Sequence, residues 1–176
     1  MTEIQHAPAI PADDPGRELS IVQEGDACLR FISVAGDTYT ILLTGEETGG
    51  RYCVIDMHVP PGGGPPPHRH DFEEMFQITD GEIELTFRGQ TQRAGAGATV
   101  NIPANAPHAF KNISDKPARL LCMCSPPGLD AFFMAVGVKV DSRTAAAPKL
   151  SAQEQAVAMQ KVKALAPQFR TELLVP

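Results

Sequence analysis

Residues 60–81 read PPGGGPPPHRHDFEEMFQITDG, and this stretch decides the fold of the chain. Its prolines and glycines cannot continue a central strand, so they predict a stiff connection that delivers His68 with little freedom. His68 and His70 lie two positions apart, which points both imidazoles the same way on a strand and suits a divalent cation. Glu74 lies an even number of positions further on, so its side chain would point to the same side of a strand as the two imidazoles. Along a straight strand, however, it would lie about 13 Å from His70. If the three share one ion, the chain bends through residues 71–73 and returns.

A candidate for the fourth ligand lies further along the chain. His108 follows residues 103–107, PANAP, a proline-bounded turn that would fix its direction. Of the other histidines, His6 lies near the amino end and His58 precedes the proline segment. His108 is therefore the available candidate.

Asp80 and Gly81 predict a tight turn between two strands. An Asp-Gly pair accepts the positive φ angles that a two-residue hairpin demands. Residues 74–79 and 82–87 flank the pair, and apolar and polar residues alternate in the second segment, as in a strand with one buried face. We therefore expect a β-hairpin at this position.

Other runs of β-branched and aromatic residues predict a mostly β fold. The runs are short and are separated by glycine, proline and asparagine, a spacing typical of a sandwich or barrel. Further strands are expected at 19–22, 29–34, 38–43, 51–59, 90–93, 99–102, 108–112 and 118–125. A chain of 176 residues, 43% of them hydrophobic, has room for one domain with a real core. It contains no internal repeat, so we expect one barrel.

The two ends of the chain differ from its middle. Residues 1–18 are rich in proline and alanine and predict an extended or flexible arm, followed by the barrel at 19–125. Residues 126–176 change to a helical pattern, in which Ser151 and Glu154 form a capping box. We expect this helical segment to pack outside the barrel.

The charge and the apolar runs exclude several classes of partner. A formal net charge of -6 without a basic cluster argues against nucleic acid, since duplex binding depends on Lys and Arg at phosphates. No apolar run approaches the roughly 18 residues that span a bilayer, and the start lacks the pattern of a secretion signal. We therefore expect a cytoplasmic protein with no membrane partner.

The two central stretches together resemble both signature motifs of the cupin superfamily. The first motif is matched at every anchor by Gly62, His68, His70, Glu74 and Gly81. The second is matched by Gly97, Pro103, His108 and Asn112, with Asn105 where the family usually has glycine. Asparagine tolerates a left-handed backbone almost as well, so the turn is still expected.

The resemblance implies a cupin β-barrel, that is, a double-stranded β-helix of the jelly-roll type, with a short helical C-terminal tail. It also implies one divalent transition metal bound by His68, His70, Glu74 and His108. The donor set suits Fe, Mn, Ni, Co, Cu or Zn, and the choice among them stays open. Small quercetin-dioxygenase-like cupins are the nearest family group, and the resemblance further implies a homodimer.

The expected function is a metal-dependent, dioxygenase-like enzyme that acts on a small oxygenated organic substrate, aromatic ones included. Glu74 is the expected catalytic base, as the resemblance to flavonol-cleaving cupins implies. Phe76, Ile78 and Phe110 share the parity of the ligands and either line the substrate pocket or pack in the core. Alternatives are a non-catalytic binding or sensing module and a metal-dependent isomerase or cyclase.

Three residues near the expected ligands have two interpretations each. Cys122 and Cys124 point to one face of a strand, where they form either a soft-metal site or ordinary apolar core. Glu73 adjoins a ligand and either serves as a base or, given its opposite parity, points outward into solvent.

Four further side chains also have more than one interpretation. Asp56 and His58 share a strand face and are either a second polar group in the pocket or satisfied polar residues elsewhere. Phe132 and Phe133, in a helix expected at 129–136, either cap the barrel mouth, join a subunit interface or pack on the barrel exterior.

Overall fold

The computed structural model describes residues 10–175, which form two antiparallel β-sheets and two α-helices. The expected arm lies partly outside the described residues, and 10–18 contain turns without a strand or helix. The strand expected at 19–22 is wrong, since the first strand begins at Arg30. Leu19 and Ile21 are 85% and 66% exposed, so this short run buries nothing that would stabilise a strand.

The strands of the described residues follow one another in short steps. They are β1 (Arg30–Val34), β2 (Asp37–Leu43), β3 (Cys53–Val59), β4 (His68–His70), β5 (Glu73–Asp80), β6 (Glu82–Phe87), β7 (Gln90–Gly95), β8 (Thr99–Ile102), β9 (His108–Lys111), β10 (Ala118–Ser125), β11 (Val138–Lys139) and β12 (Thr171–Leu173). The larger sheet has the order β11-β1-β2-β3-β10-β5-β8, and the smaller sheet has the order β12-β4-β9-β6-β7. The mostly β fold is therefore confirmed.

The hydrophobic core lies between the two sheets. Ile55 and Leu120 of the larger sheet and Ile83 and Phe110 of the smaller one belong to a single buried cluster. Alternation along the strands explains this, because every second side chain of β3 and β10 points into the cluster. The two sheets are thus held face to face by the apolar residues of their inner surfaces.

The connection at Asp80 and Gly81 does not form the expected hairpin. β5 pairs with β10 and β8, whereas β6 pairs with β7 and β9, so the turn passes the chain from one sheet to the other. Gly81 has a φ of 76°, and a Cβ there would lie 2.8 Å from the Cα of Ala118. Glycine is therefore required here, because the backbone of Ala118 lies close and the conformation is left-handed. An Asp-Gly pair meets both requirements whether or not the two strands that it joins pair with each other.

The C-terminal segment contains the two expected helices, α1 (Leu129–Val136) and α2 (Ala152–Leu165). The capping box is confirmed, since the Ser151 hydroxyl accepts from the Glu154 backbone and the Glu154 carboxylate accepts from the Ser151 backbone. Neither helix is long and apolar enough to cross a membrane. The segment also adds an edge strand to each sheet, because β11 pairs with β1 and β12 pairs with β4.

An ion pair fastens the C-terminal segment to the outer face of the larger sheet. Asp56 is buried on β3, with its Oδ1 2.7 Å from Arg119 Nε and its Oδ2 2.9 Å from Arg143 Nε. Nearby, the Thr38 hydroxyl donates to the carbonyl of Ala145 at 3.0 Å. The chain between α1 and α2 is therefore attached to the sheet by both charge and hydrogen bonding.

We expect Arg143→Ala to lower the free energy of unfolding by about 1 to 3 kcal/mol, because it removes a partner from a buried carboxylate. Arg93→Ala is the matched control, since Arg93 lies 3.7 Å from Glu82 in an exposed pair. Such a pair contributes less than about 1 kcal/mol. Urea unfolding of both variants measures the difference, and equal losses would show that the Asp56 pair does not stabilise the fold.

Candidate metal centre and its cavity

Four predicted ligands converge on one point between the sheets. His68, His70, Glu74 and His108 each offer a ligand atom, and these atoms all lie within 4.8 Å of one another. The Nε2 atoms of His70 and His108 lie 3.0 and 3.2 Å from Glu74 Oε2. Glu74, His70 and His108 are buried, whereas His68 is partly exposed. The arrangement is a cluster of three imidazoles and one carboxylate that fits a metal site.

Two sheets contribute to this cluster. His68 and His70 lie on β4, and His68 pairs directly with His108 on β9 in the smaller sheet. Glu74 lies on β5 of the larger sheet, so the chain bends at residues 71–73 as the shared site requires. Phe72 fills the bend, where its buried ring stacks on His70 with 3.9 Å between centroids.

Backbone carbonyl groups orient the three imidazoles in the same way. Each Nδ1 lies 2.9 Å from a carbonyl oxygen, that of Pro66 for His68, Phe72 for His70 and Ala106 for His108. A carbonyl oxygen only accepts, so each Nδ1 carries the hydrogen and each Nε2 is left as the ligand atom. The loops before and after the strands thus prepare all three rings for binding a cation.

The electrostatic surroundings favour the ligand forms of these side chains. Burial and the nearby His108 lower the pKa of His68 to about 4, so its imidazole is neutral near pH 7. Burial by itself would raise the pKa of Glu74, but its contacts with the imidazoles of His108 and His70 hold it well below its usual value. A neutral imidazole and an ionised carboxylate are the forms that bind a metal.

The turn before His108 is held in place from two sides. Asn105 has a φ of 67°, which confirms the expected left-handed conformation, and its N–H donates to the carbonyl of His70 at 2.7 Å. Glu73 points outward, as its parity predicts, and its carboxylate accepts from the Asn101 side chain at 3.0 Å and the Ala104 backbone at 3.1 Å. Glu73 therefore supports this turn from the surface.

A cavity of about 480 Å³ lies beside the cluster, with His68 and Glu74 on its wall. The rest of the wall is mostly apolar and comes from strands and from both helices. It includes Tyr39, Met57, Phe110, Phe132, Phe133, Met159 and Val162. An ion bound by the four ligands would therefore be next to a largely apolar cavity.

The structure separates the three expected pocket residues. Phe110 lies on the cavity wall. Phe76 and Ile78 are 1% and 0% exposed, belong to the core cluster and are not part of that wall. The rings of Phe76 and Phe110 meet edge to face at 5.4 Å. Core packing is therefore the interpretation that fits Phe76 and Ile78.

The other candidates lie as follows. Phe132 and Phe133 line the cavity from α1 and belong to the buried core cluster. Asp56 and His58 point to the outer face of the larger sheet and are not part of the cavity wall. Asp56 Oδ1 accepts from Arg119 Nε, and the carboxylate forms an ion pair with Arg143, so Asp56 serves the outer face of the sheet and not the pocket.

Tyr39 is a cavity residue that no sequence motif marked. Its hydroxyl donates to Asp37 Oδ2 at 3.0 Å, and its ring stacks on Phe133 with centroids 4.3 Å apart. Asp37 also accepts from the backbone of Gly64 at 3.2 Å, in the connection that leads to His68. The sequence shows only that Asp37 and Tyr39 point to the same side of a strand, and this does not reveal the cavity.

Comparison with protein families and curated proteins gives consistent results. Residues 55–124 match the family model described as Cupin domain. Quercetin 2,3-dioxygenase of Bacillus subtilis is 32% identical over 73 residues, 41% of this chain and 22% of that protein. Polyketide synthase CurC of Streptomyces cyaneus is 31% identical over 94 residues, 52% of this chain and 60% of that protein.

An uncharacterized protein of Methanocaldococcus jannaschii is 30% identical over 80 residues, 45% of this chain and 64% of that protein. The chain thus spans between 22% and 64% of the length of these curated relatives.

Solved structures show the same fold. An RmlC-like cupin from Shewanella frigidimarina has a TM-score of 0.54 and 14% identity, covering 65% of this chain and 98% of that one. A protein described as a predicted oxalate decarboxylase, from Thermotoga maritima, has a TM-score of 0.54 and 20% identity, covering 61% and 99%. The expected barrel architecture is therefore confirmed.

We expect His108→Ala to weaken metal binding by more than the roughly 10- to 100-fold loss that removal of a supporting partner causes. Its side chain is part of the ligand cluster itself. Calorimetric titration with Mn(II) or Ni(II), together with elemental analysis, measures the effect, and circular dichroism checks the fold. His58→Ala is the control, since His58 lies outside the cluster, and equal binding by both variants would rule out His108 as a ligand.

Asp37 provides an expected pH dependence of stability. Burial raises its pKa from 3.8 to about 6, and the hydrogen bonds from Tyr39 and Gly64 oppose this only in part. The folded state therefore binds a proton more tightly than the unfolded state, so stability falls as the pH rises from about 4 to about 6. We expect wild type to lose about 2 to 3 kcal/mol relative to Asp37→Asn over this range.

Urea unfolding of both proteins at several pH values measures that difference. Other titrating groups are common to the two chains and cancel. A constant difference from pH 4 to 7 would show that Asp37 does not bind a proton preferentially in the folded state.

Proposed function

This chain belongs to the cupin superfamily, and we propose that it is a metal-dependent, dioxygenase-like enzyme acting on a small organic substrate that carries oxygen atoms. One observation carries the proposal. His68 and Glu74, two of the four clustered ligands, form part of the wall of the largely apolar cavity. A substrate in the cavity would therefore contact the metal centre directly.

The donor set fits a divalent transition metal. Three imidazole nitrogens and one carboxylate oxygen are borderline ligands that suit Fe(II), Mn(II), Ni(II), Co(II), Cu(II) or Zn(II). They differ from the closed thiolate sets of purely structural zinc sites, and an octahedral ion would keep positions for other ligands. When bound, such an ion would polarise an oxygen atom of the substrate as a Lewis acid.

The cavity wall favours an apolar, ring-containing substrate. Phe110, Phe132 and Phe133 offer aromatic surfaces, and aromatic pairs stabilise contacts beyond their buried area. Among the residues that the structure describes, the wall holds no cluster of Lys and Arg that would bind a phosphate, which disfavours a phosphosugar. A volume of about 480 Å³ lies within the usual range for pockets of small organic ligands.

Two polar side chains of the wall would position the substrate. Glu74 is the carboxylate nearest the substrate space, and it would accept a proton from a substrate hydroxyl. Tyr39 donates its hydroxyl hydrogen to Asp37, so its oxygen is left to accept a hydrogen bond from the substrate. The enclosing helices would keep water away from both groups.

Similarity to Quercetin 2,3-dioxygenase of Bacillus subtilis supports the dioxygenase assignment over the matched residues. A dioxygenation places both atoms of O₂ in the product, so it requires no further reductant. A second candidate is a metal-dependent cyclase or isomerase that does not consume O₂, since the same donor set would polarise a substrate oxygen atom without it. A homodimer and a cytoplasmic location stay predictions.

Oxygen uptake by the separately loaded Fe(II), Mn(II) and Ni(II) forms tests this proposal, with a panel of flavonols, diketones and catechols. We expect one metal form to consume O₂ in proportion to a substrate, with both atoms of isotopically labelled O₂ in the product. Glu74→Gln should lose this activity, because the amide neither accepts the proton nor binds the metal as tightly. Glu82→Gln, which changes an exposed carboxylate, should retain it.

The other outcomes separate the candidates. Conversion of a substrate without O₂ uptake would replace the dioxygenase by the cyclase or isomerase. Tight binding by every metal form without conversion would indicate a binding or sensing module. Elemental analysis showing no bound metal after loading would overturn both enzyme assignments.

A further inference from the structure

Two buried cysteines, Cys122 and Cys124, lie beside Glu74, and a third, Cys53, lies beside Cys124. Cys53 belongs to β3, whereas Cys122 and Cys124 belong to β10, and all three side chains are fully buried. β10 lies between β3 and β5, so Cys124 is directly opposite both Cys53 and Glu74. All of these cysteines are free thiols. The sheet therefore brings thiols and a metal-binding carboxylate together.

The distances match those of two ligands to one ion. Cys122 Sγ lies 3.4 Å from Glu74 Oε1 and 3.7 Å from Cys124 Sγ. The ligand atoms of these three residues all lie within 4.8 Å of one another. Zinc binds thiolate at about 2.3 Å, which places two thiolates of a tetrahedral ion about 3.8 Å apart. The thiol pair is therefore already spaced for one ion.

The two oxygens of Glu74 face different groups. Oε2 faces the Nε2 atoms of His70 and His108, whereas Oε1 faces the thiol of Cys122. We propose that Oε1, Cys122 and Cys124 form a second metal site, which binds a thiophilic ion such as Zn(II) or Cd(II) and shares Glu74 with the histidine site. Cys53, which lies opposite Cys124 on the neighbouring strand, borders it.

The two sites differ in the ions that they prefer. Thiolates select soft ions, whereas three imidazoles and a carboxylate suit the borderline transition metals. Ordinary core packing explains why the cysteines are buried, but it would favour aliphatic neighbours over a carboxylate. A thiol group that donates to a carboxylate oxygen is better explained as part of a polar site.

The charge of the second site is balanced. A divalent ion that binds two thiolates displaces two protons, so the net charge of the buried cluster does not change. This matters because an uncompensated charge in the interior is strongly destabilising. Glu74 lies on the cavity wall and contacts Cys122, so an ion can approach the thiols from the cavity by way of Glu74.

A metal ion in the second site would restrict what the Glu74 carboxylate can do. An ion at Oε1 holds the carboxylate in place and prevents it from accepting a proton from a molecule in the cavity. The site would therefore act as an inhibitory or structural position. The inference does not rest on the proposed dioxygenase function, since it concerns only metal binding.

Cadmium binding tests the second site, with metal-stripped Cys28→Ser protein in which the exposed cysteine is absent. Cd(II) is added to the folded protein and, in a parallel sample, during refolding from urea, so that a buried site can fill. Native mass spectrometry counts the ions, and the sulfur-to-cadmium charge-transfer absorption reports thiolate ligands. We expect a second Cd(II) and this absorption in at least one sample.

Two double variants distinguish the sites. In the Cys28→Ser background, Cys122→Ala with Cys124→Ala should lose the absorption and one ion but still bind metal at the histidines. His68→Ala with His108→Ala should keep the absorption. Lack of the absorption in the Cys28→Ser protein under both loading conditions, or retention of both ions by the double cysteine variant, overturns the proposal. The absorption of the Cys28→Ser protein tests the second site even if a double variant does not fold.

Discussion

The burial of one carboxylate among three imidazoles is the constraint on which the rest of the structure depends. An isolated charge in a barrel interior is costly, so Glu74 is tolerated there only because imidazoles of His70 and His108 and a thiol surround it. These partners come from both sheets. The centre therefore exists only where the two sheets lie over one another.

Much of the centre could be predicted from the sequence because its determinants are local. Strand parity places His68 and His70 together, and the proline-rich connections fix where each strand starts. The pairing of strands is a long-range property, however. Asp80 and Gly81 specify a backbone conformation, which serves a crossing between sheets as well as a hairpin, so the hairpin prediction was wrong.

The cavity was harder to predict than the ligands for a similar reason. Parity shows that Phe76, Ile78 and Phe110 point inward, but it does not show which of them lie deep in the core and which border an open space. Much of the wall comes from the two helices, which lie outside the motifs. Their contribution depends on how the C-terminal segment packs, and no periodicity in the sequence describes that packing.

The strand that holds His68 and His70, β4, pairs with a strand that is synthesised much later, β12. Thr171 lies opposite His70 and Leu173 lies opposite His68, so the strand that holds two histidines has a neighbour made about a hundred residues later. During translation this histidine strand would remain at the edge of its sheet, with unpaired backbone groups. A ribosome-bound nascent chain would therefore leave the histidine strand without its β12 neighbour until residues 171–173 had emerged.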